Sequence, residues 1–147
     1  MKKYIKIFDI NFIDANFKNI KSILDKGGLL VLPSGPGLAT IKSDFRYYKA
    51  LKNADLVLFD SGYFCLLLRF LKNINVQKFS GFKFLKIFLK EFNKKKQKRI
   101  YLVEPSTYLQ KINKEYLKKN NINNIYQYVP PIYKKNKIYD NKLLKNI

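Results

Sequence analysis

The sequence contains no histidine, no tryptophan and a single cysteine. Without histidine the commonest general base is missing, and Ser-His-Asp and Cys-His nucleophile systems are excluded together. One cysteine, Cys65, rules out a disulfide framework within the chain and any paired-cysteine metal motif, which fits a reducing compartment. Acidic residues are scarce as well: 10 Asp and Glu stand against 30 Lys and Arg, a formal net charge of +20. Acid-base chemistry near neutral pH therefore falls to those carboxylates, a tuned lysine or a tyrosine. No apolar run approaches the roughly 20 residues of a membrane-spanning helix. The stretch Met1 to Ile13 is interrupted by Lys6 and Asp9 and precedes no small-residue cleavage site, which speaks against a secretion signal.

Core-forming material is plentiful: 147 residues at 47% hydrophobic and 16% aromatic suffice for one domain with one core. The positive charge suits an anionic partner, whether nucleic acid, a phosphate-bearing substrate or a membrane face, and charge alone does not choose among them. A general over-use of lysine as solvated surface gives the same total.

Apolar patterning predicts alternating strands and helices. Two short strands flank Phe8 and Asp9, and Phe17 to Asp25 reads as an amphipathic helix stopped by Gly27 and Gly28. Leu29 to Leu32 is a buried strand entering the turn-rich loop Pro33 to Gly37, and Ile41 to Asn53 is a helix with Ser43 as its cap. Leu56 to Phe59 is a second buried strand, followed by Tyr63 to Leu71, apolar almost all round as expected of an enclosed helix. Asn73 to Gly81 is a connection with a short extended piece, and Phe82 to Phe92 is a clearly amphipathic helix followed by a basic run, Lys94 to Arg99. A strand at Ile100 to Val103, a helix at Tyr108 to Lys119 and a strand at Ile125 to Val129 complete the pattern. The fold class is α/β: a Rossmann-like parallel sheet flanked by helices, with a short N-terminal β-hairpin. Lys134 to Ile147 is a basic, asparagine-rich tail.

In open α/β sheets ligands collect beyond the carboxyl ends of the strands, where helix N-termini offer unpaired N–H groups. Three predicted strands end there in polar residues: Ser34 in the loop Pro33, Ser34, Gly35, Pro36, Gly37; Asp60 before Ser61 and Gly62; and Glu104 before Pro105 and Ser106. Asp60 is the sharpest candidate, since a carboxylate there can take the proton of an attacking hydroxyl, but an Asp before a helix is equally an N-cap. The loop can bring N–H groups to a diphosphate or be a tight turn, and it matches no nucleotide-binding fingerprint. Lys78, just before Gly81, can meet a phosphate or be an ordinary exposed lysine. Glu104 can orient a substrate hydroxyl or serve at the surface or as a cap.

Gly28 to Leu89, and above all KALKNADLVLFDSG followed by KFSG, resembles the WecG/TagA/CpsF family of bacterial glycosyltransferases, which carry "adlvlpDG" and "R-x-x-G" elements there. The resemblance implies transfer of a hexosamine-type sugar from a UDP-sugar to a polyprenyl-diphosphate-linked acceptor in cell-envelope polysaccharide synthesis. The setting it implies is cytoplasmic and peripheral to the anionic inner face of the membrane. It assigns Asp60 as catalytic base; the substrate-binding candidates beside it are Pro33, Ser34, Gly35, Gly37, Ser61, Gly62, Lys78, Gly81 and Glu104. It calls for no cofactor beyond the donor and names no metal ligand. PSGPG stands where "TxN" is usual, Lys78 where Arg is common, Lys83 where an Asp often follows the glycine, and Glu104-Pro105 in place of a glycine pair. Because family members continue into a "G-x-P-x-Q-E" segment, the expectation is an incomplete domain over 1–133 with 134–147 as the start of a missing segment. A truncated, inactive remnant is part of that expectation. The alternatives are a basic nucleic-acid-binding module, for which no motif is present, and a membrane-surface protein using Phe82 to Phe92 as an interfacial helix.

Overall fold

A computed structural model describes residues 3–25, 27–93, 99–133 and 139–147. The lysine run at 94–98 and the head of the basic tail at 134–138 lie outside the described residues. The chain forms two compact units, residues 1–86 and 87–147.

The first unit is built on a sheet of order β1-β2-β4-β3. β1 (Lys3–Ile7) and β2 (Ile10–Asp14) form an antiparallel hairpin, turned by Phe8 and Asp9 at φ 51° and 58°. Both φ values are left-handed, as a two-residue hairpin turn of the primed type requires. β3 (Leu30–Val31) and β2 each run parallel to β4 (Leu56–Leu58), with Val31 and Phe12 both registered on Val57. The entries of β3 and β4 are tied together by Asp55, whose Oδ2 accepts the Leu29 N–H at 2.7 Å. Gly28, at φ 129°, lies so close that a Cβ would stand 3.0 Å from that oxygen.

Alternation along β4 divides the core. Val57 and Phe59 face one side with Phe12, Leu38, Leu51 and Leu68, whereas Leu56 and Leu58 face the other with Ile13 and Ile20. The first side is covered by α2 (Gly35–Ala39), α3 (Phe45–Lys52) and α4 (Gly62–Lys72), and the second by α1 (Phe17–Leu24) and the start of α5 (Gly81–Asn93) through Phe84. Phe12 and Phe59, both fully buried, stack at 4.8 Å between centroids. Burial of each such ring contributes about 1.5–3 kcal/mol.

The second unit pairs β5 (Ile100–Val103) in parallel with β6 (Ile125–Tyr128), joined by α6 (Thr107–Lys119). A last turn of helix, α7 (Asn141–Leu144), is held by Asp140, which accepts the Tyr128 and Tyr133 hydroxyls at 2.9 and 2.6 Å and the Leu143 N–H at 2.9 Å.

The α/β class and the hairpin agree with the sequence reading, and four details differ. The strands form two sheets, four-stranded and two-stranded, because partner choice depends on groups remote in sequence. Pro33 to Gly37 leads directly into a helix: Ser34 caps it, and Pro36 in its first turn needs no N–H there. The helix expected from Ile41 begins at Phe45 with Asp44 as cap, since the Ser43 hydroxyl is spent on the Thr40 carbonyl at 2.9 Å. Finally α4 is not enclosed, for Tyr63, Leu66, Phe70 and Leu71 are exposed.

Candidate active site at the carboxyl edge

Because β2, β4 and β3 are parallel, their carboxyl ends share one edge of the first unit, at Asp14, Asp60 and Ser34 respectively. Residues 77–81 lie across that edge. Gln77 N–H donates to Asp14 Oδ1 at 3.4 Å, Phe79 N–H to the Phe59 carbonyl at 2.7 Å, and Gly81 N–H to Asp60 Oδ1 at 2.9 Å. Every second amide is thus used, and the side chains between them alternate sides. Ile74 and Val76 enter the cluster around Phe59, while Phe79 enters the one around Leu58. Lys78 consequently lies over Gly62, where an added Cβ would be 3.5 Å from Lys78 Cδ and 3.8 Å from its Nζ.

Asp60 is half-buried. Its Oδ1 holds the first amide of α5, and its Oδ2 has no hydrogen-bond partner among the described residues. The cap of α4 is Ser61, whose Oγ accepts the Phe64 N–H at 3.2 Å. Asp60 is therefore not the cap of the helix that follows it. Gly81 lies close beside it: a Cβ there would stand 3.3 Å from Asp60 Oδ2 and 3.4 Å from Leu32, pressing on both side chains.

Ser34 caps α2 by accepting the Gly37 N–H, and Gly35 approaches so near that its Cβ would be 3.0 Å from Ser61 Oγ. Pro33 is buried beneath this turn. Gly37 belongs to the packing against α3, for a Cβ there would be 2.8 Å from the Tyr47 hydroxyl. Ser34, Gly35, Asp60, Ser61, Gly62, Lys78 and Gly81 are thus brought to one rim. Glu104 lies in the second unit, where it is 3% exposed and accepts Asn113 Nδ2 at 2.7 Å and Gln127 Nε2 at 3.0 Å. The surface or capping role expected as its ordinary alternative is overturned, because Ser106 is the cap of α6.

Cys65 sits one turn into α4, half-buried, and burial pushes its thiol above the ordinary range. Lys78 acts against that shift, and Asp14 and Asp60 add to it, which places all three charges around this turn of α4. Asp14 is the residue that sequence reasoning missed. Its signal was the same as that of Asp60, a carboxylate closing an apolar strand, but β2 was read as half of a hairpin and not as a member of the parallel set. Among the described residues no group of three or more His, Cys, Asp and Glu is placed to hold a metal ion.

Residues 5–147 match the family model described as the glycosyl transferase WecG/TagA/CpsF family. The chain belongs to that family. Membership carries the general activity, sugar transfer in cell-envelope polysaccharide synthesis, to the WecG/TagA/CpsF-type domain seen here. No curated protein and no solved structure matches significantly. Among the described residues no helix is long and apolar enough to cross a membrane.

Proposed function

We propose that the chain transfers a hexosamine-type sugar from a UDP-sugar to a polyprenyl-diphosphate-linked acceptor at the cytoplasmic membrane face, with Asp60 as general base. The observation that carries this is the division of labour on Asp60: one oxygen is fixed by Gly81 N–H, the other meets no donor among the described residues, and the capping task belongs to Ser61.

In the proposed step Asp60 Oδ2 takes the proton of the acceptor hydroxyl as its oxygen attacks the anomeric carbon. The bond from that carbon to the diphosphate oxygen breaks, and UDP leaves with the electron pair. Developing charge on the diphosphate is met by the Lys78 ammonium and the first amides of α4, which lie together at Gly62 and have no intrahelical partners. Gly35 adds an amide of the same kind across from Ser61.

The test is transfer of labelled N-acetylhexosamine from its UDP donor to a lipid-diphosphate-linked sugar. Asp60→Ala is expected to lower turnover by about a hundredfold or more, with calorimetric UDP affinity nearly unchanged. Undiminished turnover in that variant removes the base assignment.

A further inference from the structure

Helix α4 carries a face that neither the core nor the rim uses. Phe64 and Leu68 pack inward, whereas Tyr63, Leu66, Phe70 and Leu71 are 70%, 52%, 80% and 73% exposed. At the angular spacing of a helix these four fall with Leu67 in one continuous arc that holds no charge. Beside the arc opens a groove of about 480 Å³. The hairpin supplies Ile7 and Phe8 to it and the helix supplies Phe64, Leu67 and Leu71, and its charged lining residues among those described are Lys6 and Lys72. Phe8 is a bulky side chain at φ 51°, a backbone region such residues rarely adopt, and its ring stacks on Phe64 at 6.4 Å while staying 44% exposed.

Apolar surface of this extent next to water marks a place of docking, and the charges around it identify the occupant. Arg69 borders the arc on α4, Lys6 and Lys72 line the groove, and Lys52 stands near Asp9 at the hairpin tip. The acid among them is Asp9, bridged to Lys6 at 3.0 Å. We propose that this face docks on an anionic lipid bilayer, with Phe70 and Leu71 among the acyl chains, the groove receiving an acyl segment, and Arg69, Lys72 and Lys6 at the level of the phosphates. A second copy of the chain is disfavoured as occupant, since pairing the same face would set these cations against their duplicates. An anionic surface meets them with opposite sign. The proposal deepens the membrane-peripheral part of the function above and rests on it only there.

The experiment is co-sedimentation of the full chain with phosphatidylcholine vesicles, with and without phosphatidylglycerol, at physiological salt. Binding is expected only with phosphatidylglycerol, and Phe70→Glu combined with Leu71→Glu should weaken it roughly tenfold or more. Lys111→Gln combined with Lys114→Gln, an equal change in charge on α6, should leave most of it. Since the chain has no tryptophan, Phe70→Trp provides a single reporter whose emission should move to the blue on anionic vesicles, whereas Phe45→Trp on α3 should not shift. Equal losses in the two double variants, unimpaired binding of the α4 variant, or equal or absent shifts of the two reporters overturn the proposal. So does a dimer that Phe70→Glu dissolves in a chain that ignores vesicles. None of these readouts needs turnover, so failure here and failure of the Asp60 chemistry are told apart.

Discussion

Asp60 and Glu104 stand in closely similar local sequences. Each ends a short apolar strand, and each is followed within two residues by a serine that caps the next helix, Ser61 for α4 and Ser106 for α6. Their surroundings differ completely. Glu104 is buried and has both oxygens engaged by half-buried amide side chains, from Asn113 nine residues on and Gln127 twenty-three residues on. Asp60 has one oxygen engaged by the Gly81 amide and one without a donor among the described residues. A strand end delivers a carboxylate to the edge of a sheet; neighbours from far along the chain decide whether it is a structural acceptor or an available base.

The sharpest way to break this comparison is to neutralise each carboxylate. Asp60→Asn should cut turnover by about two orders of magnitude with little change in the urea midpoint, while Glu104→Gln should leave turnover per folded molecule close to that of the parent. A stability effect at Asp60 and a turnover effect at Glu104 would invert the assignment. Next in size, Glu104→Ala should cost about 1–3 kcal/mol in urea denaturation, because half-buried Asn113 loses its acceptor and Gln127 keeps only the Gln110 carbonyl. The two caps offer a smaller, symmetrical test: Ser61→Ala and Ser106→Ala should each cost about 1 kcal/mol, and only the first should also lower affinity for UDP.

Asp140 extends the comparison to a third carboxylate, one that acts through its charge on two tyrosines. The Tyr133 hydroxyl bond holds Asp140 below its ordinary value of 3.8, so this contribution to stability is present above that value and fades as pH falls through the lowered one. The same bond pushes Tyr133 from 10.0 up to about 12, so its contribution is complete below 10.0 and is lost as pH rises toward about 12. Alkaline titration followed by tyrosinate absorbance should show a late-ionising tyrosine that Asp140→Asn returns toward the ordinary range.

Much of the architecture was legible in the residues. The four-residue apolar runs ending in Asp60 and Glu104 are strands in the structure, and the glycines and serines after them mark turns and caps as their chemistry dictates. The α2 turn was hidden because serine, glycine and proline signal a tight turn and a helix start alike. Asp14 was hidden because a hairpin strand can also join a parallel neighbour, and pairing is a property of the assembled sheet. The open face of α4 was hidden for a different reason: an all-round apolar helix states that water is unwelcome without stating which side the protein itself covers. Glu104 was placed at the correct strand end, but its amide partners could be found only in three dimensions.

The strap of residues across the carboxyl edge is set by parity. Its amides at Gln77, Phe79 and Gly81 grip Asp14, Phe59 and Asp60 in turn, so odd positions hold the sheet while the identity of the even ones decides what overhangs α4. Deleting one residue between Asn73 and Gln77 would swap the sides, turning the Lys78 ammonium away from Gly62 and bringing a phenyl ring to the same spot. Spacing in this loop, more than its composition, therefore determines whether the rim greets a phosphate with a cation.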